Sequence, residues 1–431
     1  MTNRREFLMR AGALGVATVA GANMAKAAPA TAQGSTDWAA MEREMDALYS
    51  VDRHIVNFDA AYYGAMTHPV EATYREKTAW VNRYNSTFLR DMVPGASRDI
   101  ELGRSRDAVA RLIGARPDEV ALAGGGTEAL YALIVNYKGI TPGDGVIYAD
   151  VDYDEMQYAM DYLGESRGAH VVRFSIPEPH TRANILAAYE KVLKETPRAK
   201  LLLLTHVSNR NGLIPPVAEI VAMARARGVD VILDSAQAVG QMPFDVTVTG
   251  ADFIGFSLHK WVGAPLGVGG IYIRKERQGD IGRWLGNRIY AEDDIRARIP
   301  SGTVDFAARL TIPTAIDVLN QIGIQRKQGF LRHLRNRWVD GVRDIGGLSL
   351  MLPDEPDNYG AISSFRMPGM KTIDQAKHAQ AIFVRKYGVL VVAKAGLAAG
   401  PGLRVTPALF NTTAEVDRLI AAIHAEKSMF A

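Results

Sequence analysis

Lys260 and Asp234 are the two residues of this chain whose positions ask for chemistry. Lys260 sits in "ADFIGFSLHKWVGAPLGVGGIYI" (251–273), a stretch otherwise apolar and rich in glycine. Lysine is almost never buried without a partner, so this amine either escapes to water at a strand end or is there to react. Asp234 lies 26 residues earlier (260 − 234) and closes the apolar run "VDVILD". Opposite charges at the ends of two apolar strands can be a structural ion pair and nothing more. They can equally be a reactive amine and the carboxylate that tunes it, because α/β sheets bind ligands at the carboxyl ends of their strands.

Other residues could join such a site. In "AGGGTEAL" (123–130), Gly124 to Gly126 follow a short strand and Thr127-Glu128 open a helix. Exposed amides at a helix N-terminus bind phosphate. The spacing Gly124-x-Gly126-x-x-Ala129 also matches the dinucleotide fingerprint, which would make the protein an NAD-linked oxidoreductase with no role for Lys260. Tyr153 follows a strand end in "DVDYDEM" and reads as a stacking ring or as a core-facing tyrosine. Asn209 in "HVSNRNGLIPP" reads as a ligand or as a turn residue. Arg404 in "GLRVTPALFNT" has the side chain that grips a carboxylate with two nitrogens. Tyr62 and Tyr63 in "FDAAYYGAM" read as pocket or as surface.

A βα alternation from about residue 99 would position these groups. Helices are expected over 99–114, 127–137, 153–164, 185–195 and 217–228, with strands at 119–123, 145–150, 169–174, 200–207 and 229–234. Strands this apolar, alternating with helices, imply a mainly parallel sheet covered on both faces. After about residue 310 the pattern changes to long helices, then strands at 359–367, 388–393 and 402–407 and a last helix at 413–426. The expected organisation is a leader (1–27), a linker (28–37), a segment that packs with the C-terminal part (38–60), a large domain (61–309) and a small α+β domain (310–431).

The block from Asp234 to Lys260 resembles the class V aminotransferase-like enzymes of fold type I, which use pyridoxal phosphate. Their pattern is Asp-x-x-Gln/His, then Asp, then Ser-x-His-Lys. Here it is Asp234-Ser235-Ala236-Gln237, "FDV", then Ser257-Leu258-His259-Lys260. The resemblance covers most of the chain after about residue 54 and implies that Lys260 is the Schiff-base lysine, with Asp234 on the pyridine nitrogen. It further implies that Gln237 and Asn209 lie near the ring hydroxyl and that Tyr153 stacks on the ring. Gly126, Thr127, Ser257 and His259 would hold the phosphate, and Arg404 the substrate carboxylate. Gly302 and Thr303 in "SGTVD" would reach the phosphate of a neighbouring subunit, which implies a homodimer.

Within that family the chain resembles the isopenicillin-N-epimerase-like branch. Cysteine desulfurases carry histidine at the Tyr153 position and need a catalytic cysteine, and this chain has no cysteine. Disulfides and thiolate metal sites are excluded with it. The residues fit transamination and epimerisation alike, with a lyase or a non-catalytic binding protein as further readings. Gly164-Glu165-Ser166-Arg167-Gly168 matches G-x-S-x-G but lies between a helix and a strand, the reverse of a nucleophile elbow. No His-Glu-x-x-His occurs.

The leader suggests where the enzyme works. Asn3-Arg4-Arg5-Glu6-Phe7-Leu8 resembles the twin-arginine export signal, a short apolar run follows, and Ala25-Lys26-Ala27 offers a cleavage site. The run is too short to span a membrane, so a periplasmic protein without a stable span is expected. The leader holds four basic residues and one acidic, which is the whole formal charge of +3, leaving the mature chain neutral. Nothing in that balance favours nucleic acid as a partner. Export also resembles a periplasmic pyridoxal-phosphate enzyme that modifies the glutamate side chain of the siderophore pyoverdine. The substrate would then be a peptide-linked amino acid.

Overall fold

The first strand, β1 (Val56–Asn57), pairs with a partner more than 300 residues away rather than with its own neighbours. A computed structural model describes residues 37–352 and 355–430. The leader and residues 28–36 of the linker lie outside the described residues. Seven strands then build the central sheet: β2 (Val120–Ala123), β3 (Gly145–Ala149), β4 (His170–Phe174), β5 (Ala199–Thr205), β6 (Asp230–Asp234), β7 (Phe253–Ser257) and β8 (Gly269–Ile273).

Their order is β2-β8-β7-β6-β5-β3-β4. Strands β3 to β7 pair in parallel, and β8 runs antiparallel to both of its neighbours. Side chains alternate between two buried layers. Ile147 and Ala149 of β3 join one core cluster, and Val146 and Tyr148 join the other. In β5, Leu202 and Leu204 go to the first, Leu201 and Leu203 to the second. Alternation inside a continuous apolar run is the signature of a sheet covered by helices on both faces.

Two long helices, Phe306–Ile322 and Ile324–Asp340, lead to a four-stranded antiparallel sheet. Its strands are β9 (Ser349–Leu350), β10 (Ser363–Arg366), β12 (Val392–Lys394) and β13 (Gly402–Val405), in the order β12-β13-β10-β9. β11 (Val389–Leu390) pairs in parallel with β1 instead. Asp59 bridges to Thr406, and Arg53 donates to the Phe410 carbonyl, so residues 53–59 are fastened to the C-terminal part. The last helix, Thr413–Ala425, is capped by Thr412, whose hydroxyl accepts from the Glu415 amide. From Trp38 onward the chain forms one compact unit.

The sheet's carboxyl ends are held in register by a buried carboxylate. Asp152 has no solvent exposure. Its Oδ2 accepts the Ala149 amide at 2.7 Å and its Oδ1 the Thr205 amide at 3.0 Å, joining the ends of β3 and β5. Burial pushes this carboxyl up to about 7. Asp152→Asn offers one acceptor oxygen where two are needed and turns an amide NH2, a donor, toward a backbone N–H. The variant should lose about 1–3 kcal/mol of stability in urea unfolding. A wild-type unfolding midpoint would contradict the staple.

Candidate active site

Five strand ends face one cavity of about 530 Å³. The turn after β2 brings Gly124, Gly125, Gly126 and Thr127. The end of β3 brings Tyr153, and β5 leads to Asn209. The end of β6 brings Asp234 and Gln237, and the end of β7 brings Ser257, His259 and Lys260. Arg404 reaches in from β13. Of the residues assigned to the cofactor or the substrate in the sequence, Gly302 and Thr303 lie outside this cavity of their own chain; both are exposed on the segment 301–305. Tyr62 and Tyr63 line the mouth, both substantially exposed.

Asp234 is buried and Lys260 is partly so, and desolvation pushes each toward its neutral form. Burial lowers the Lys260 amine to about 8, with the Asp234 carboxylate pulling the other way. Burial raises the Asp234 carboxyl, opposed by the Ala236 amide donating at 2.9 Å and by the Lys260 charge. Each group thus keeps the other closer to its ionised form than burial alone would allow.

The loop that carries Lys260 is fixed from several sides. The Gly64 amide donates to the His259 carbonyl at 2.9 Å. A β-carbon on Gly64 would stand 2.1 Å from the Lys260 carbonyl oxygen, so only glycine permits this approach. The Trp261 indole donates to Gln237 Oε1 at 2.8 Å, and the buried Lys327 amine donates to the Trp261 carbonyl. Gln237 Nε2 donates one proton to the Ala61 carbonyl at 2.8 Å and keeps a second.

At the other end, the helix Gly126–Asn136 starts at the cavity. The Gly126 amide donates to Ser257 Oγ at 3.0 Å, and His259 Nδ1 meets the Val268 carbonyl at 2.9 Å. A carbonyl only accepts, so Nδ1 carries the proton. Gly125 has a φ of 146°, and a β-carbon there would lie 2.9 Å from the His259 ring. One on Gly126 would lie 2.7 Å from Ser257 Oγ. These two glycines keep open a cup lined by a hydroxyl, an imidazole and a helix N-terminus, the donor set a phosphate requires.

Arg404 is more engaged than its sequence context suggested. Its two terminal nitrogens are taken by the Asp59 carboxylate and by the Asn209 carbonyl, the latter at 2.8 Å. Sequence reasoning also missed Thr205 and Lys394, which line the same cavity. Lys394 ends the apolar run "VLVVAK" just as Lys260 ends its own, and that sign could have found it. Buried Asn209 Oδ1 meets no hydrogen-bond partner among the described residues. A polar atom orphaned in a cavity wall points to a polar ligand. No cluster of metal-binding side chains occurs among the described residues.

Comparison with known proteins agrees with this donor set. The aminotransferase class-V pattern matches residues 67–419, most of the chain. The chain belongs to that family. It is therefore a pyridoxal phosphate enzyme of fold type I. This class-V chain is 30% identical to an isopenicillin N epimerase of Streptomyces clavuligerus, across 75% of this chain and 84% of that one. It is 28% identical to a cysteine desulfurase of Haloferax volcanii, across 85% and 89%. In fold it resembles the cysteine desulfurase CsdA of Escherichia coli, with a TM-score of 0.75, 20% identity, and coverage of 91% and 99%.

The lowered Lys260 amine makes a testable statement. A pKa near 8 in place of 10.5 means the neutral, nucleophilic amine is populated from about pH 8 upward. The rate at which cofactor-free protein takes up pyridoxal phosphate should rise with pH to a midpoint near 8, followed in the visible band. Asp234 holds the proton on Lys260, so Asp234→Asn should move that midpoint to lower pH. A midpoint near 10.5, or a move upward, would contradict the burial account.

Proposed function

We propose that this class-V enzyme is exported by the twin-arginine route and acts in the periplasm. Its target is the amino-bearing carbon of an amino acid or a peptide-linked amino acid. The observation that carries the chemistry is Lys260 and Asp234 facing one cavity from adjacent strand ends. Aminotransferase-type chemistry on the glutamate side chain of a pyoverdine-type siderophore is the specific reading. Its support is the leader, the absence of cysteine and the exposed mouth at Tyr62, Tyr63 and Leu266, which leaves room for a tethered substrate. Epimerisation is the second reading, supported by the likeness to isopenicillin N epimerases.

Pyridoxal phosphate, when bound, supplies an aldehyde for an amine and a ring that accepts the electrons of the Cα–H bond. Gly126, Thr127, Ser257 and His259 are the residues suited to its phosphate. Asp234 is suited to the ring nitrogen, where a positive partner would return the buried carboxyl to its ionised form. Gln237 and Asn209 offer an N–H and an oxygen toward the ring hydroxyl, and Tyr153 a face for stacking. Lys260 holds the cofactor and, once displaced by the incoming amine, takes the Cα proton at its Nζ. Thr303 is assigned to the phosphate of a second copy in a homodimer.

The test is a visible spectrum of the mature protein, then borohydride reduction and peptide mapping. A yellow band with the cofactor fixed on Lys260 is expected, and Lys260→Ala should remove both. A protein that stays colourless after added pyridoxal phosphate would contradict the reading. Amino-acid turnover in deuterium oxide separates the two chemistries. Transfer of the amine bleaches the yellow band, whereas epimerisation keeps it and leaves deuterium at an inverted Cα.

A further inference from the structure

Lys394 and Arg404 approach the cavity from neighbouring antiparallel strands. Arg404 stands opposite Val392, which puts Lys394 at the diagonal position on the same face of β12 and β13. Their charges are differently placed. Arg404 is 2% exposed and already paired with Asp59. Arg210, also buried, donates to the carbonyl of Ala395, the residue after Lys394, and is paired with Asp154 at 2.6 Å. The Lys394 amine has no ion pair or hydrogen bond among the described residues. Burial and then the Arg404 charge push it down to about 8, with Asp59 and Asp154 opposing and Arg210 adding to the fall.

Lys260 and Asp234 offset each other, so the charges at this end are Asp59, Asp154 and Asp234 against Arg404, Arg210, Lys394 and Lys260, which leaves one positive charge (4 − 3 = 1). We infer that Lys394 supplies the net charge that holds the substrate's carboxylate, while Arg404, neutralised by Asp59, serves as a directional hydrogen-bond donor. The pocket then selects an amino compound with one free carboxylate over plain amines and amino amides. Lys394 becomes a specificity residue that neither the family pattern nor the sequence reading assigns. This inference rests on the reading of the cavity as an amino-acid site.

The experiment uses probes that cannot react. Butyrate and its neutral analogue butyramide are titrated into the cofactor-loaded protein by calorimetry. The wild type should bind butyrate about tenfold or more tightly than butyramide, the scale of a hydrogen bond to a charged group. Lys394→Met should remove that preference and leave the visible band and cofactor content unchanged. Lys394→Arg should keep affinity within about threefold, as a retained charge requires. Adding Asp59→Asn to the Met variant releases Arg404 from its partner and should restore butyrate binding. Butyrate binding to Lys394→Met at wild-type strength would overturn the inference, as would a double variant that stays weak. Either failure in a yellow protein sinks the role of Lys394 alone, whereas a protein without the band sinks the cofactor reading beneath it.

Discussion

Everything at this site depends on two opposite charges held out of water at the ends of adjacent strands. Asp234 is 5% exposed at the end of β6, and Lys260 follows β7 by three residues. Neither would persist there as a lone ion, because desolvation drives each toward its neutral form. Together they leave a carboxyl with a raised pKa and an amine with a lowered one, in one cavity. That is the polarity an aldehyde-bearing aromatic cation needs: a nucleophile at one edge and an anion at the other.

The rest of the fold can be understood as what keeps that arrangement in place. A parallel sheet buried on both faces delivers the ends of β3, β5, β6 and β7 side by side without exposing their backbones. Asp152 staples two of those ends together. Gly64, Trp261 and Lys327 hold the Lys260 loop from its outer side. The stretch 59–64 contributes twice, with Gly64 against the loop and Asp59 against Arg404. Residues 53–59 are accordingly fastened to the C-terminal part, through β11, Thr406 and Phe410.

Much of this was legible before any coordinates, for a physical reason. A charge or a glycine inside an apolar run is conspicuous, so Lys260, Asp234 and Gly124 to Gly126 announced themselves, as did the βα alternation. The reversal at β8 was not legible, since "GVGGIYI" has no feature that marks direction and its place between β2 and β7 is a long-range outcome. The engagement of Arg404 was also hidden, because its partner Asp59 lies 345 residues away. Lys394 follows the apolar run 389–393 as Lys260 follows its own, so the same signal was present there. Asp152 gave no signal at all, since an aspartate in a loop is ordinary and only the fold buries it.

The central claim is that Asp234 governs the protonation of the cofactor ring. The most direct measurement is the nitrogen-15 chemical shift of ring-labelled pyridoxal phosphate bound to the wild type and to Asp234→Ala. The account predicts a protonated ring nitrogen in the wild type and an unprotonated one in the variant at the same pH. Identical shifts in the two proteins would contradict it.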